Sequence, residues 1–188
     1  MRNFFLSFFL SQALFASSVV YAFQSISLKN WKQSGTWLID EGKLSITKRS
    51  SMGYNLCFTK KVDFLNGSIS VRFRANSGQI DQGGGLMWRV QDAQNYYVAR
   101  FNPLEDNFRF YRVQNGYRSE IASLSVSLSE GWHTMKIIQD ASEFRGYLDG
   151  DNELKAQDDN LNKSGGVGVW SKADALSSFD DLHISSQP

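Results

Sequence analysis

Gly84-Gly85-Leu86-Met87-Trp88-Arg89-Val90, Asn95-Tyr96-Tyr97-Val98-Ala99-Arg100-Phe101-Asn102, Asn107-Phe108-Arg109-Phe110-Tyr111-Arg112-Val113 and Tyr117-Arg118-Ser119-Glu120-Ile121-Ala122 follow one another with only short breaks between them. Each run is rich in aromatic and β-branched residues, which favour the pleated, half-buried surface of a strand. The breaks, Gln91 to Asn95, Pro103 to Asp106 and Gln114-Asn115-Gly116, are of hairpin length and carry turn residues. The spacing therefore predicts four strands, Gly85 to Val90, Tyr96 to Asn102, Asn107 to Val113 and Tyr117 to Ala122, in an antiparallel meander.

The same rhythm runs outward in both directions. Trp37-Leu38-Ile39 and Leu44-Ser45-Ile46 flank Asp40-Glu41-Gly42-Lys43 as a first hairpin, and strands are expected at Met52 to Thr59 and Gly67 to Ala75. Beyond the meander they are expected at Trp132 to Gln139, Phe144 to Leu148, Gly166 to Trp170 and Phe179 to Ile184. The best helix candidate, Asp151 to Asn162, has only Leu154, Ala156 and Leu161 as apolar positions and reads as a polar excursion. Many short strands at even spacing, with no repeat or linker, predict one all-β domain folded as a two-sheet antiparallel sandwich.

The N-terminus differs in kind. Arg2 precedes a mostly apolar run, Phe4 to Phe15, and Val20-Tyr21-Ala22 supplies residues that a signal peptidase accepts. Residues 1–22 read as a secretory signal peptide, too short and too interrupted for a membrane span, and residues 23–188 as the mature domain. The expectation is export to the periplasm or the medium, with no membrane span after cleavage. No lipobox cysteine lies near the cut. Arg2 is the only charge in the leader, so of 20 basic and 19 acidic residues the mature chain keeps 19 of each. That balance argues against nucleic acid as a partner, because phosphate neutralisation demands a basic excess. Cys57 is the only cysteine and sits in a strand-like run, where a small buried hydrophobe is its expected role.

Several phrases together resemble a known family. They are Trp31 with Gly35-Thr36-Trp37, Gly84 to Arg89, Asn95 to Arg100, Asn102-Pro103-Leu104-Glu105-Asp106-Asn107, Gly131-Trp132-His133, Tyr147-Leu148-Asp149-Gly150, Gly166 to Trp170 and Phe179-Asp180-Asp181-Leu182. In order and spacing they are similar to exported bacterial domains of the 3-keto-disaccharide hydrolase type, in the concanavalin A-like lectin/glucanase superfamily. The resemblance covers roughly residues 30–185. It implies a concanavalin A-like jelly roll, which hosts binders and enzymes alike.

Sorting the meander by parity puts Leu86, Trp88, Val90, Tyr97, Ala99, Phe101, Phe108 and Phe110 in the core. The opposite face then carries Arg89, Tyr96, Arg100, Asn102, Arg109 and Tyr111, with Met87 and Val98. Aromatic plates beside planar hydrogen-bond donors suit the flat C–H patches and paired hydroxyls of a sugar. Those six polar and aromatic residues are the expected saccharide site, set against a plain solvated sheet face. The resemblance points to the same concave face.

Two other functions stay open: a glycoside-cleaving enzyme of the 3-keto-disaccharide hydrolase type, and a protein–protein module of the envelope. Against hydrolysis of the laminarinase kind, no Glu-x-Asp-x-x-Glu occurs, and Glu105-Asp106 reads as a surface turn. Neither His133 nor His183 belongs to a ligand cluster, and no Ser/His/Asp order or nucleophile elbow is present. No cofactor is expected. The resemblance does imply a structural calcium, for which Asp180 or Asp181 is the candidate.

Overall fold

The computed structural model describes residues 17–21, 23, 26–51 and 53–187. The strands are β1 (Ser17–Tyr21), β2 (Lys32–Ser34), β3 (Thr36–Asp40), β4 (Lys43–Lys48), β5 (Tyr54–Phe64), β6 (Asn66–Ser77), β7 (Gly84–Asp92), β8 (Asn95–Asn102), β9 (Asn107–Gln114), β10 (Tyr117–Ser125), β11 (His133–Asp140), β12 (Glu143–Leu148), β13 (Asn152–Gln157), β14 (Gly165–Lys172) and β15 (Leu176–Gln187). A 3-10 turn, Leu28–Asn30, precedes β2. No helix among the described residues is long and apolar enough to cross a membrane.

Two antiparallel sheets result. One runs β13-β12-β11-β6-β15-β4-β3 with β1 added on β15, and the other runs β10-β9-β8-β7-β14-β5-β2. The meander lies in order at one end of the second sheet, as its short connectors require. In the first hairpin Asp40 faces Lys43, and the two-residue turn Glu41-Gly42 has φ of 48° and 77°. That is the mirror-image turn whose twist matches the strands it joins.

Between the sheets lies the main core. Leu86, Trp88, Tyr97, Ala99, Phe101, Phe108 and Phe110 face Phe73, Met135, Ile137, Phe144 and Phe179 across it. Trp88 stacks on Tyr97 at 5.5 Å and its indole N–H donates to Gln139 Oε1 at 2.7 Å, so its one polar atom is satisfied. Cys57 is fully buried here, and burial pushes its thiol up, out of reactive range. His133 faces inward with Met135 and Ile137, its ring edge-on to Phe101 at 5.4 Å.

Three expectations need correction. Asn152–Gln157 is not a polar excursion but strand β13, paired with β12 in register from Glu143↔Gln157 to Leu148↔Asn152. Its signal was the alternation Leu154 and Ala156 inward, Glu153 and Lys155 outward. Val90 does not belong to the main core. A register shift in β7 after Trp88, with Arg89 at φ 47°, moves Val90 to the opposite face. Third, the strand expected from Met52 begins in the structure at Tyr54, Met52 itself lying outside the described residues.

The proposed leader and the cut after Ala22 lie mostly outside the described residues. Within it Ser17–Tyr21 pairs with Leu182 to Ser186 of β15, and Tyr21 sits edge-on to Trp31 at 5.5 Å. Removal of residues 1–22 would take that strand from the sheet edge.

Candidate functional site

The second sheet curls. Arg118 in β10 and Tyr54 in β5 are separated by five strand steps, about 24 Å on a flat sheet, beyond the reach of two side chains. Yet the Arg118 guanidinium carbon lies 5.7 Å from the Tyr54 ring, 5.8 Å from the Trp170 ring and 4.3 Å from the Tyr111 ring. The outer face is therefore a trough, and Arg118 bridges it from the β10 side.

Register assembles the trough floor in rows. One row is Arg109, Arg100, Gly85, Trp170, Leu56 and Ser34; the next is Tyr111, Val98, Met87, Gly168, Phe58 and Lys32. Leu56, Phe58, Met87, Val90, Tyr96, Val98, Tyr111, Val113 and Trp170 form a second apolar cluster, separate from the main core. Trp170 donates its indole N–H to Tyr96 Oη at 3.2 Å, and burial, first of all, pushes the Tyr96 phenol up. Gly85 stands between Arg100 and Trp170, where an added Cβ would come within 2.0 Å of the Ala99 carbonyl oxygen. Only glycine lets the strands approach at that point.

Toward one end the trough becomes polar. Arg100, 1% exposed, donates to Asp81 Oδ2 at 2.7 Å and to Glu105 at 3.2 and 3.3 Å. Burial works against this charge, but Glu105 and Asp81 outweigh it and hold the guanidinium above its ordinary range. Glu105 in turn is pulled down to about 2, chiefly by the Arg100 hydrogen bond. Lys172 adds a contact of 3.7 Å to Asp81. Arg109, half-buried, donates to Ser123 Oγ at 3.0 Å and stands 3.5 Å from Glu120.

Asp81 is delivered by the loop before β7. The Asp174 carboxylate accepts backbone N–H groups of Gln79, Ile80 and Asp81 at 2.7 to 3.1 Å, and those bonds hold it below the usual carboxylate range. Gly83 leaves the space that Arg100 and Asp81 fill, since a Cβ there would lie 2.2 Å from Arg100 Nε. The Gly83-Gly84-Gly85 run thus serves close packing as well as the turn.

Of the six residues expected on this face, the structure brings five together. Tyr96, Arg100, Asn102, Arg109 and Tyr111 all lie on the trough side of β8 and β9, but only Arg109 keeps substantial exposure. Asn102 is buried, its Oδ1 accepting from Gln82 N and Leu104 N. Arg89 is the exception. The bulge turns it to the end of the sandwich, where it donates to Leu65 O, Leu161 O, Asn66 Oδ1 and Ala141 O. It is a structural tie there and not part of the trough.

Glu105, expected as a plain surface turn, reaches back to Arg100 from five residues on. Sequence reasoning also passed over Arg118, Asp81, Tyr54 and Trp170 as site residues. Arg118 had a usable signal, since it shares parity with Glu120 on a run already read as a strand.

Asp180 and Asp181 sit at a bulge in β15, with Asp181 at φ 50°. Arg72 stands 3.9 Å from one and 3.7 Å from the other. No group of three or more His, Cys, Asp and Glu that could hold a metal ion occurs among the described residues. The pair forms the acidic side of an ion pair with Arg72.

No protein-family profile matches the chain, and no curated protein matches it in sequence. Solved structures do resemble it. The carbohydrate-binding module CBM66 from Bacillus subtilis superposes with a TM-score of 0.73 at 23% identity, covering 83% of this chain and 96% of that one. A Bacillus subtilis protein of unknown function with a galectin-like fold gives 0.67 at 13% identity, covering 93% and 100%. The Bacillus licheniformis β-glucanase gives 0.62 at 11%, covering 91% and 98%. The fold is a two-sheet antiparallel jelly roll of the kind these structures share, as the sequence resemblance implied.

Proposed function

We propose that this protein is exported and holds a saccharide, without cleaving it, in the trough of its seven-stranded sheet. The observation that carries this reading is the meeting of Arg118 with Tyr111, Tyr54 and Trp170 in a concave surface, beside the half-exposed Arg109, Glu105 and Glu120. Guanidinium forks donate to paired hydroxyls, and carboxylates accept from them. A trough suits an elongated glycan better than it suits the flat patch of a protein partner.

Binding is favoured over hydrolysis by the state of the acids. Glycoside cleavage normally needs one carboxyl kept protonated near neutrality. Here Glu105 is displaced the other way, to about 2, and Asp81 is committed to Arg100 and to the Gly83 N–H at 2.6 Å. The kinship in fold with a carbohydrate-binding module supports a saccharide as the ligand.

The test is a broad glycan array probed with the exported protein and with its Arg118→Ala and Arg109→Ala variants. The expected result is binding that both variants weaken. An array with no bound glycan, or binding indifferent to both changes, overturns the site. Mass spectrometry of the exported chain tests the leader: a first residue of Phe23 is expected.

A further inference from the structure

The charges of the trough do not balance, and the imbalance falls on one residue. Three carboxylates face this side, and each already has its cation: Asp81 has Arg100 and Lys172, Glu105 has Arg100, and Glu120 has Arg109. Arg118 has none among the described residues. Its guanidinium contacts are the three aromatic rings, and its Nη1 is buried without an acceptor. A guanidinium nitrogen left unpaired in a buried setting loses its hydration with nothing returned. The aromatic faces compensate the charge in part and hold the fork in place.

Past Trp170 and Leu56 the same face continues into a groove of about 370 Å³, floored by Leu56 and Phe58 and flanked by Lys32 and Lys60. Asp92 lines it too and keeps its negative charge, its carboxylate accepting from the neutral Gln94 N–H and Asn95 amide. The groove thus holds two lysines against one carboxylate, Lys60 donating to Gln91 O at 3.0 Å, and both stretches keep one positive charge in excess along an apolar floor.

We infer that the saccharide taken by this trough is acidic, a uronate-bearing glycan whose carboxylate meets the fork of Arg118. A planar carboxylate can accept two parallel N–H bonds from a guanidinium, which a single hydroxyl cannot. The ring cage fixes the fork before the ligand arrives, so little side-chain freedom is lost on binding. This inference rests on the saccharide reading above and adds the chemical class.

The experiment titrates the exported protein with oligogalacturonides, with the same oligomers methyl-esterified, and with neutral galacto-oligosaccharides. Arg118→Gln and Arg118→Lys are run alongside, their folding checked by circular dichroism. The expected result is binding of the acidic oligomers, weakened roughly tenfold or more by esterification or by Arg118→Gln and less by Arg118→Lys. It should also fall as salt is raised. Equal binding of esterified, neutral and acidic oligomers overturns the acidic preference and leaves the saccharide reading standing. Acidic binding that Arg118→Gln leaves unchanged, with the fold intact, overturns the role of Arg118. If no oligomer binds here and no glycan binds on the array, both readings fall together.

Discussion

Two arginines of this molecule are held in opposite ways. Arg89, at the end of the sandwich, spends its guanidinium on three backbone carbonyls and the Asn66 amide oxygen, at 2.7 to 3.2 Å. Arg118, in the trough, meets only ring faces and keeps a buried nitrogen without an acceptor. The first is a closed set of donors and acceptors, tying together the loops at Leu65, Ala141 and Leu161. The second keeps hydrogen-bonding capacity that no protein group uses. A closed polar cluster contributes to the fold; an open one leaves its hydrogen-bonding capacity for something else.

The contrast can be broken by substitution. Arg89→Ala strands the carbonyls of Leu65, Leu161 and Ala141, and should lower unfolding free energy by about 3 kcal/mol or more in urea titration. Arg118→Ala removes only cation–π contacts near the surface and should cost about 1 kcal/mol or less. Equal losses in the two variants would erase the distinction. Next in size is Gly85→Ala, at the floor of the trough. Its Cβ meets backbone rather than a flexible side chain, so a loss of roughly 1–3 kcal/mol is expected, with binding disturbed as well.

A smaller effect should appear on acidification, at the polar end of the same trough. Glu105 has a folded-state pKa of about 2 against an ordinary 4.5, so its contribution is complete above the ordinary value. It is lost as pH falls through that window toward about 2. Glu105→Gln should therefore flatten part of the acid limb of a stability–pH curve, and an unchanged limb would remove Glu105 from the network. Smallest of all is calcium. With Arg72 already facing Asp180 and Asp181, the melting temperature should agree within about 1 °C between calcium and chelator.

Legibility varied with how local each cause was. The first hairpin could be read from Glu41-Gly42 and the alternation on either side, because turn chemistry and pleat are properties of neighbouring residues. The meander order β7 to β10 followed from connectors too short for any other pairing. Parity correctly separated Tyr97, Ala99 and Phe101 from Tyr96, Val98 and Arg100. It failed at Arg89, where one bulged residue flips the count and no adjacent glycine marks the place. It also misjudged exposure, treating Tyr96 and Tyr111 as open plates when the curled sheet and Arg118 cover them.

Period-two alternation and turn residues, read from the chain alone, determined that this is a sandwich, that Trp88, Tyr97, Phe101, Phe108 and Phe110 lie in its core, and that Arg100, Arg109 and Tyr111 share a face. Tertiary structure alone decided that Arg118 lies against Tyr54, residues on strands five steps apart. That contact depends on curvature accumulated over the whole sheet, and no run of neighbouring residues encodes it. The same holds for Asp81, which reaches Arg100 because Asp174, far along the chain, gathers the loop before β7.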